Sequence, residues 1–209
     1  MQQNNLPTIG VTGITGSGSS TVAGILAERG GFIVSADKLA HEVMARDGAA
    51  YPLIIRDFGE GILDESGDIN RRVLGARVFE NKEELQILEA IIHPLVIQKT
   101  AELISEAAAT GDFNFAVIDA PLLIESGMYK KCDSTWLVTA SDRLRKSRII
   151  GRDNIDEETA ERRLANRAGD ESLRPYADFI INNDGDVERL KKEVFTVFNN
   201  FLQSDGIVS

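Results

Sequence analysis

The sequence predicts an α/β protein in which a parallel five-stranded sheet is sandwiched between helices. Short apolar runs alternate with longer segments of helical periodicity, and strands separated by helices pair in parallel through right-handed crossovers. A glycine-rich turn follows the first apolar run and opens a helix. No internal repeat, low-complexity tract or long linker interrupts the alternation, which favours a single domain over residues 1–209.

The strands and helices are predicted in chain order from the apolar spacing. The strands cover residues 8–12, 32–34, 115–119, 135–139 and 179–181. The helices that follow them cover residues 19–29, 37–45, 142–152, 157–167 and 187–202. Residues 51–78 are polar and rich in turns, so they are predicted to lie outside the sheet. Two further helices, 83–92 and 95–109, are predicted to break at Pro94, which cannot continue a regular hydrogen-bond ladder.

The composition excludes several classes of protein. A formal net charge of −10 argues against a nonspecific binder of nucleic acid or anionic membranes, which needs a basic face. Cys132 is the single cysteine, so no intrachain disulfide can form. The N-terminus lacks the pattern of a signal peptide, and no apolar run approaches the roughly 20 residues that span a bilayer. A cytoplasmic protein without nucleic-acid or membrane partners is expected.

Residues 13–20 have the glycine frame of a Walker A phosphate loop, G-x-x-x-x-G-K-[ST]. Glycines let backbone N–H groups approach a phosphate, and the following helix adds its positive end. Ser20 offers a hydroxyl to Mg²⁺, whereas Ser19 stands where the motif has lysine and cannot supply its charge. The alternative is an ordinary glycine-rich turn capped by serines, but the position between a strand and a helix favours a nucleotide site.

Charged side chains follow other strands. The turn, Asp37 and Asp119 all fall at the carboxyl ends of strands, where open α/β sheets bind ligands. Asp119 is placed to hold Mg²⁺ through water, or alternatively to form the turn before Pro121. Arg148 and Arg152 stand four residues apart on one helix and suit phosphate. For Arg152 the alternative is a salt bridge to Glu157 or Glu158.

Over residues 9–190 the chain resembles the dephospho-CoA kinase family. The resemblance rests on the order and spacing of several blocks, namely IGVTG (9–13), SADKLAHEV (35–43), INRRVLG (69–75) with VF (78–79), IHPL (92–95), VIDAPLLIE (117–125), Arg148 with RD (152–153), AD (177–178) and NNDG (182–185). Where the family often has Asp, this chain has Ser35, and Asp37 is the catalytic match.

The resemblance implies ATP-dependent phosphorylation of the ribose 3′-hydroxyl of dephospho-CoA, the last step of coenzyme A synthesis, with Mg²⁺ as cofactor. It implies a core (about 8–50, 110–140 and 177–205), an acceptor-side insertion (about 51–109) and a lid (about 142–167). Asp37 is the implied general base, its alternative being a helix N-cap. The catalytic group is Asp37, Arg148 and Arg152; the metal ligands are Ser20 and Asp119; the ATP-binding group is Gly13, Gly16, Ser17, Gly18, Ser19, Ser20, Thr21 and Asn183; the substrate-binding group is His41, His93, Pro94, Pro121 and Leu122.

Several alternatives stay open at this point. Arg163 and Arg167 extend the basic lid, His93 has a capping role as its alternative, and Trp136 is expected in the core. With Ser19, the chain is either a kinase whose charge comes from Lys38 or a lid arginine, or a nucleotide-binding pseudokinase, or a kinase for another small hydroxyl acceptor. A monomer or weak homo-oligomer is expected.

Overall fold

The computed structural model describes residues 6–165 and 170–204. Five strands form one parallel sheet: β1 (Thr8–Thr12), β2 (Gly31–Ser35), β3 (Phe115–Asp119), β4 (Ser134–Thr139) and β5 (Phe179–Asn182). Their order across the sheet is β2-β3-β1-β4-β5. The pairings of β1 with β3, of β1 with β4 and of β4 with β5 are all parallel. The predicted sheet is therefore confirmed, with strand ends that differ by at most one residue.

The helices lie between these strands along the chain, singly or in series, and the last one follows β5. They are α1 (Ser19–Ala27), α2 (Ala36–Val43), α3 (Tyr51–Phe58), α4 (Arg71–Glu80), α5 (Lys82–Thr110), α6 (Asp142–Asp153), α7 (Glu157–Ala165), α8 (Asp170–Leu173) and α9 (Val187–Ser204). Single 3₁₀ turns occupy Glu60–Ile62, Met128–Lys131 and Arg174–Tyr176. Segment 51–78, predicted only as polar and turn-rich, contains two helices because Ile54, Phe58, Leu74 and Val78 give each of them a buried side.

The three central strands of the sheet, β3, β1 and β4, are buried and mostly apolar, as expected for parallel strands that are covered on both faces. Every residue of β1, β3 and β4 is buried. Helices α1 and α9 contribute to the main hydrophobic cluster, which includes Ile9, Val22, Leu26, Trp136, Val194, Phe198 and Phe201. Trp136 has no exposed surface and its indole N–H donates to Ser134 Oγ at 3.0 Å, which confirms the predicted core position.

Near its carboxyl end, the edge strand β5 makes hydrogen bonds on both of its backbone edges. The Asn183 N–H donates to the Thr139 carbonyl at 2.8 Å, which extends the pairing with β4 by one residue. Because successive N–H groups along a strand point to opposite sides, the Asn182 N–H points outward. Its acceptor is Glu193 Oε1 at 2.7 Å, on α9. The outer edge of the sheet is thus closed at this residue by a carboxylate.

The chain divides into two compact units, one made of the segment up to Val34 together with the segment from Glu106 onward, and the other of Ser35–Ser105. The first unit holds most of the sheet and the phosphate loop. The second consists of helices. In the parts of the chain that the structure describes, no helix combines the length and the apolar character that a membrane crossing needs.

The predicted break at Pro94 is wrong, since α5 runs from Lys82 to Thr110 with Pro94 inside it. Proline removes one helical N–H and costs about 3 kcal/mol in a helix interior. On the other side of the balance, α5 buries Ile91, Val96 and Ile104, and each aliphatic side chain contributes about 1.5–3 kcal/mol on burial. The apolar stripe on both sides of the proline therefore outweighs the local cost.

Candidate active site

The phosphate loop depends on glycine at two positions of positive φ. Gly16 has φ 85° and Gly18 has φ 96°, in the left-handed region that L side chains rarely adopt. A Cβ on Gly16 would lie 2.8 Å from the Arg145 carbonyl oxygen, and one on Gly18 would collide with Asn183 Nδ2. At Gly13 the obstacle is the Val138 carbonyl oxygen, 2.5 Å from an added Cβ. The glycine frame is therefore required by packing as well as by backbone conformation.

Helix α1 begins directly at the loop. Gly18 is its N-cap and no side chain caps it, so the first N–H groups of the helix are available to a ligand. Ser19 is half-buried, and Ser20 and Thr21 are exposed in the first turn. An uncapped helix N-terminus that follows a glycine-rich turn is the geometry that binds phosphate.

Ser20 and Asp119 meet at the carboxyl edge of the sheet. The Ser20 hydroxyl donates to Asp119 Oδ2 at 2.6 Å, which leaves the lone pairs of the hydroxyl oxygen for another partner. Asp119, the last residue of β3, is 9% exposed. Its other oxygen, Oδ1, is buried and accepts no hydrogen bond from any residue that the structure describes.

These two side chains fit a magnesium ion. A buried carboxylate oxygen without a partner is costly unless a cation or donor satisfies it, and Mg²⁺ prefers oxygen ligands. Mg²⁺ is usually held by one or two protein groups together with substrate phosphates and water. The Ser20–Asp119 pair lies beside the phosphate loop. In the described residues, no group of three or more His, Cys, Asp or Glu side chains is placed to hold a metal ion.

Arg148 and Asn183 hold the loop from behind. Arg148 Nη1 lies 3.3 Å from both the Gly16 and the Ser17 carbonyl oxygens. Its Nη2 donates to the Asn183 carbonyl at 2.9 Å and lies 3.3 Å from Asn183 Oδ1. Asn183 is buried, and its Nδ2 donates to the Ser17 carbonyl at 2.7 Å. Both side chains bind loop backbone, so Arg148, predicted to be catalytic, and Asn183, predicted to bind ATP, together support the loop.

The segment after β5 is tied to the start of α6. The Ser141 N–H donates to Asp184 Oδ1 at 2.7 Å. This bond is the main reason that the pKa of Asp184 lies below its ordinary value, and the positive charge of Arg148 acts in the same direction. The carboxylate therefore helps to keep α6, and with it Arg148, beside the loop.

Arg145 is a site residue that the sequence reasoning missed. It is 6% exposed, its Nε donates to the Thr15 carbonyl at 3.1 Å, and its Nη1 donates to Asp142 Oδ1 at 2.7 Å. Arg145 precedes Arg148 by three residues, which is the other spacing that places two side chains on one face of a helix. That spacing is the sequence signal that could have identified Arg145, since the prediction rested on the spacing of four between Arg148 and Arg152.

Arg152 occupies a different environment from Arg148. Its side chain is 65% exposed and pairs with Asp153 at 2.7 Å, which raises the pKa of the guanidinium. The expected alternative partner Glu157 instead binds Lys146. Of the further lid arginines, the side chain of Arg163 and all of Arg167 lie outside the described residues, as does part of the predicted lid.

The predicted base lies in the second unit. Asp37 is exposed in the first turn of α2, and the N-cap of that helix is Ser35. The alternative role of Asp37 as the N-cap is therefore wrong, because the helix already begins at Ala36. His41, one turn further along, and Lys38 are exposed on the same helix.

The remaining predicted substrate residues fall in both units. His93 is half-buried in the interior of α5, so its alternative role as a helix-terminal cap is wrong. Pro94 borders an open pocket of about 480 Å³ in the second unit, lined by Leu53, Arg56, Asp57, Ile87, Ala90, Ile91, Pro94 and Leu95. In the first unit the Pro121 carbonyl lies 3.5 Å from Thr12 Oγ1, and Leu122 is 38% exposed.

The loop, the carboxylate and the basic helix match a known family along most of the chain. The family model for dephospho-CoA kinase covers residues 7–189. The chain belongs to the dephospho-CoA kinase family. Among curated members, it is 34% identical over 200 residues to the dephospho-CoA kinase of Carboxydothermus hydrogenoformans, with 96% of this chain and 97% of that protein covered. It is 39% identical to the Fusobacterium nucleatum dephospho-CoA kinase over 186 residues, with 89% and 94% covered.

Solved structures share the fold of this chain, and one of them is a dephospho-CoA kinase. TT1252 from Thermus thermophilus superposes with a TM-score of 0.77 at 30% identity and covers 94% of this chain and 98% of its own. Dephospho-CoA kinase from Campylobacter jejuni superposes with a TM-score of 0.66 at 29% identity, with 95% and 98% covered. A shikimate kinase from Acinetobacter baumannii, 17% identical with a TM-score of 0.53, shares the fold. By fold and by family, this member of the dephospho-CoA kinase family is an ATP-dependent kinase.

Proposed function

We propose that this chain transfers the γ-phosphoryl group of ATP to the ribose 3′-hydroxyl of dephospho-CoA, with Ser20 and Asp119 as the magnesium ligands and Asp37 as the base. Membership of the dephospho-CoA kinase family supports the reaction. The observation that supports this site is the 2.6 Å hydrogen bond from the Ser20 hydroxyl to Asp119 Oδ2. The other carboxylate oxygen, Asp119 Oδ1, is buried and accepts no hydrogen bond from the described residues.

The residues divide the work of phosphoryl transfer, which needs positioning and charge stabilisation more than covalent chemistry. The N–H groups of the loop and of the first turn of α1 bind the phosphates. Ser20 and Asp119 would hold Mg²⁺, which when bound would neutralise charge on the phosphate oxygens. Arg148 fixes the loop through the carbonyls of Gly16 and Ser17.

The acceptor side supplies the nucleophile. Asp37 accepts the proton of the ribose 3′-hydroxyl while the oxygen of that hydroxyl bonds to the γ-phosphorus of ATP. The bond between the γ-phosphorus and the oxygen that bridges it to the β-phosphate then breaks, which releases ADP. Arg152, exposed on α6, is assigned to bind the transferred phosphoryl group. To do so, its guanidinium must leave the Asp153 carboxylate that it contacts in the free protein. His41, His93, Pro94, Pro121 and Leu122 are assigned to dephospho-CoA. These roles follow the resemblance of the motifs.

Ser19 sets the main alternative function. The lysine that the motif places there normally contributes charge to the outer phosphates, and loss of one such preorganised group costs about 10²–10³ in rate. A protein that kept the loop but lost this charge could act as a nucleotide-binding pseudokinase. A kinase for another small hydroxyl acceptor is the other alternative, since it needs the same loop and metal site.

The deciding experiment is an ATP- and Mg²⁺-dependent assay with dephospho-CoA. It compares the parent chain with Ser19→Lys. It also compares Asp37→Asn with Asp47→Asn, in which a different exposed carboxylate is removed as a matched control. Turnover by the parent that is lost in Asp37→Asn and retained in Asp47→Asn supports the proposal. Turnover that arises only in Ser19→Lys indicates a pseudokinase. ATP hydrolysis or phosphorylation of other alcohols, with dephospho-CoA inert in both proteins, indicates a different acceptor.

A further inference from the structure

Arg145 is an enclosed cation directly behind the phosphate loop. Its side chain is 7% exposed, whereas the side chain of its partner Asp142 is 89% exposed. A buried charge requires partners, and here they are the Asp142 carboxylate at 2.7 Å and the Thr15 carbonyl at 3.1 Å. Water screens the exposed carboxylate far more than the enclosed guanidinium, so the loop experiences a net positive charge from the pair.

The bond from Arg145 also orients the loop. The Thr15 carbonyl and the Gly16 N–H belong to one planar peptide and point in opposite directions. Because Arg145 donates to the Thr15 carbonyl, the Gly16 N–H points away from Arg145, toward the side of the loop on which a phosphate would lie. Arg148 and Asn183 act in the same way on the Ser17 carbonyl, which turns the Gly18 N–H forward.

The backbone around Gly16 leaves Arg145 little freedom to move. A Cβ on Gly16 would lie 2.8 Å from the Arg145 carbonyl oxygen and 3.0 Å from its Cα, so helix α6 packs directly against the loop. The guanidinium is consequently fixed relative to the loop before any ligand binds. A preorganised charge of this kind needs no rearrangement during the reaction.

We propose that Arg145 supplies part of the positive charge that Ser19 does not, as a positioning residue that acts through the Thr15–Gly16 peptide. The inference rests on the proposed function only in taking the ligand to be a nucleoside triphosphate. The competing account is that Arg145 merely fastens α6 to the loop. The two accounts differ in whether the effect of Arg145 depends on the residue at position 19 and on the number of phosphates.

A double-mutant cycle separates these accounts. Arg145→Gln removes the charge but keeps an amide donor, and it is made in the parent and in Ser19→Lys, with the exposed Arg143→Gln on the same helix as the matched control. In the parent, Arg145→Gln should weaken ATP binding by about tenfold or more, the range of a charged hydrogen bond, and AMP binding by less than about threefold. In Ser19→Lys its effect on ATP should fall below about threefold.

An equal loss of ATP affinity in both backgrounds, an equal loss for AMP and ATP, or no loss at all would overturn the proposal. Thermal unfolding of each protein reports any general damage. If Arg145→Gln does not fold, Arg145→Lys, which keeps the charge, is tested instead. The parent's preference for ATP over AMP should then stay within about threefold, and a tenfold loss despite the retained charge would refute the role of charge.

The binding readout also separates this inference from the proposed function. Coupling between positions 19 and 145 without turnover of dephospho-CoA would support Arg145 and contradict the assigned reaction. Turnover of dephospho-CoA without coupling would support the reaction and overturn the role of Arg145.

Discussion

The hydroxyl of Ser20 and the carboxylate of Asp119 are joined by a 2.6 Å hydrogen bond across 99 residues of chain. The two residues come from the first turn of α1 and from the end of β3. Parallel pairing of β1 with β3 brings these points together, because it aligns Val11 with Asp119 immediately before the loop. The Ser20–Asp119 pair, which we propose as the metal site, is therefore a consequence of strand register.

Asp119→Asn should lower kcat by about 10²–10³ and raise the Mg²⁺ concentration needed for half-maximal activity, because the amide keeps the shape but loses the negative charge. Kinase assays over a series of Mg²⁺ concentrations measure both quantities. Asp112→Asn, an exposed carboxylate before the other end of β3, should change neither. An unaltered Mg²⁺ dependence in Asp119→Asn would mean that this carboxylate is not a ligand.

Arg148→Lys should weaken ATP binding by about tenfold or more although the charge is kept. One ammonium group cannot bridge the Gly16, Ser17 and Asn183 carbonyls, which the planar guanidinium contacts at once. Calorimetric titration with ATP measures the loss. Lys191→Gln, which removes an exposed pair with Glu28, is the control and should leave ATP affinity unchanged.

Gly18→Ala and Gly24→Ala should have opposite effects on stability. At Gly18 an added Cβ meets Asn183 Nδ2 and the φ of 96° is strained, so the free energy of unfolding should fall by more than about 1 kcal/mol. Gly24 lies in the middle of α1, and nothing lies within 4 Å of a Cβ added there. Alanine at this position should therefore raise the free energy of unfolding by about 0.5–1 kcal/mol. Urea unfolding tests both; a stabilising Gly18→Ala would contradict the described loop.

The stability of the folded protein should decrease between pH 7.5 and 9.5 through Cys132. Burial raises the pKa of this thiol to about 12, and the neighbouring Asp133 adds to the effect. In the unfolded chain the thiol ionises near pH 8.5, so the unfolded state loses its proton first, and the free energy of unfolding falls by about 1.4 kcal/mol over this interval.

Urea unfolding at the two pH values, for the parent and for Cys132→Ala, measures this contribution. The alanine variant should lose less stability over the same interval, since it has no thiol to ionise. An identical pH dependence in the two proteins would show that the thiol is not enclosed as described.

Local pattern predicted the sheet because each strand contains a short apolar run, and it predicted the loop because glycines at that spacing between a strand and a helix are typical of a phosphate loop. It failed at Pro94, where a local rule about hydrogen bonding competed with burial of Ile91 and Val96 on either side. Only the tertiary packing of α5 decides that competition.

The arginines show the same limit at the site. Helical spacing says which side chains share a face, but it does not say which face meets the loop. Arg145 and Arg148 bind the loop carbonyls, whereas Arg152, in phase with Arg148 by spacing, extends far enough along α6 to pair with Asp153 in solvent. The roles of Asp37 and of the acceptor-side residues stay predictions, since they depend on a bound substrate.

The carboxylate of Glu193 at the Asn182 N–H has a consequence for the behaviour of the protein at high concentration. A terminal strand of a sheet is a template for a strand from another molecule, and Ile180 in β5 is 40% exposed. A neighbouring chain that extended the sheet at this residue would have to displace the Glu193 carboxylate from its donor. We therefore expect Glu193 to oppose intermolecular β-association.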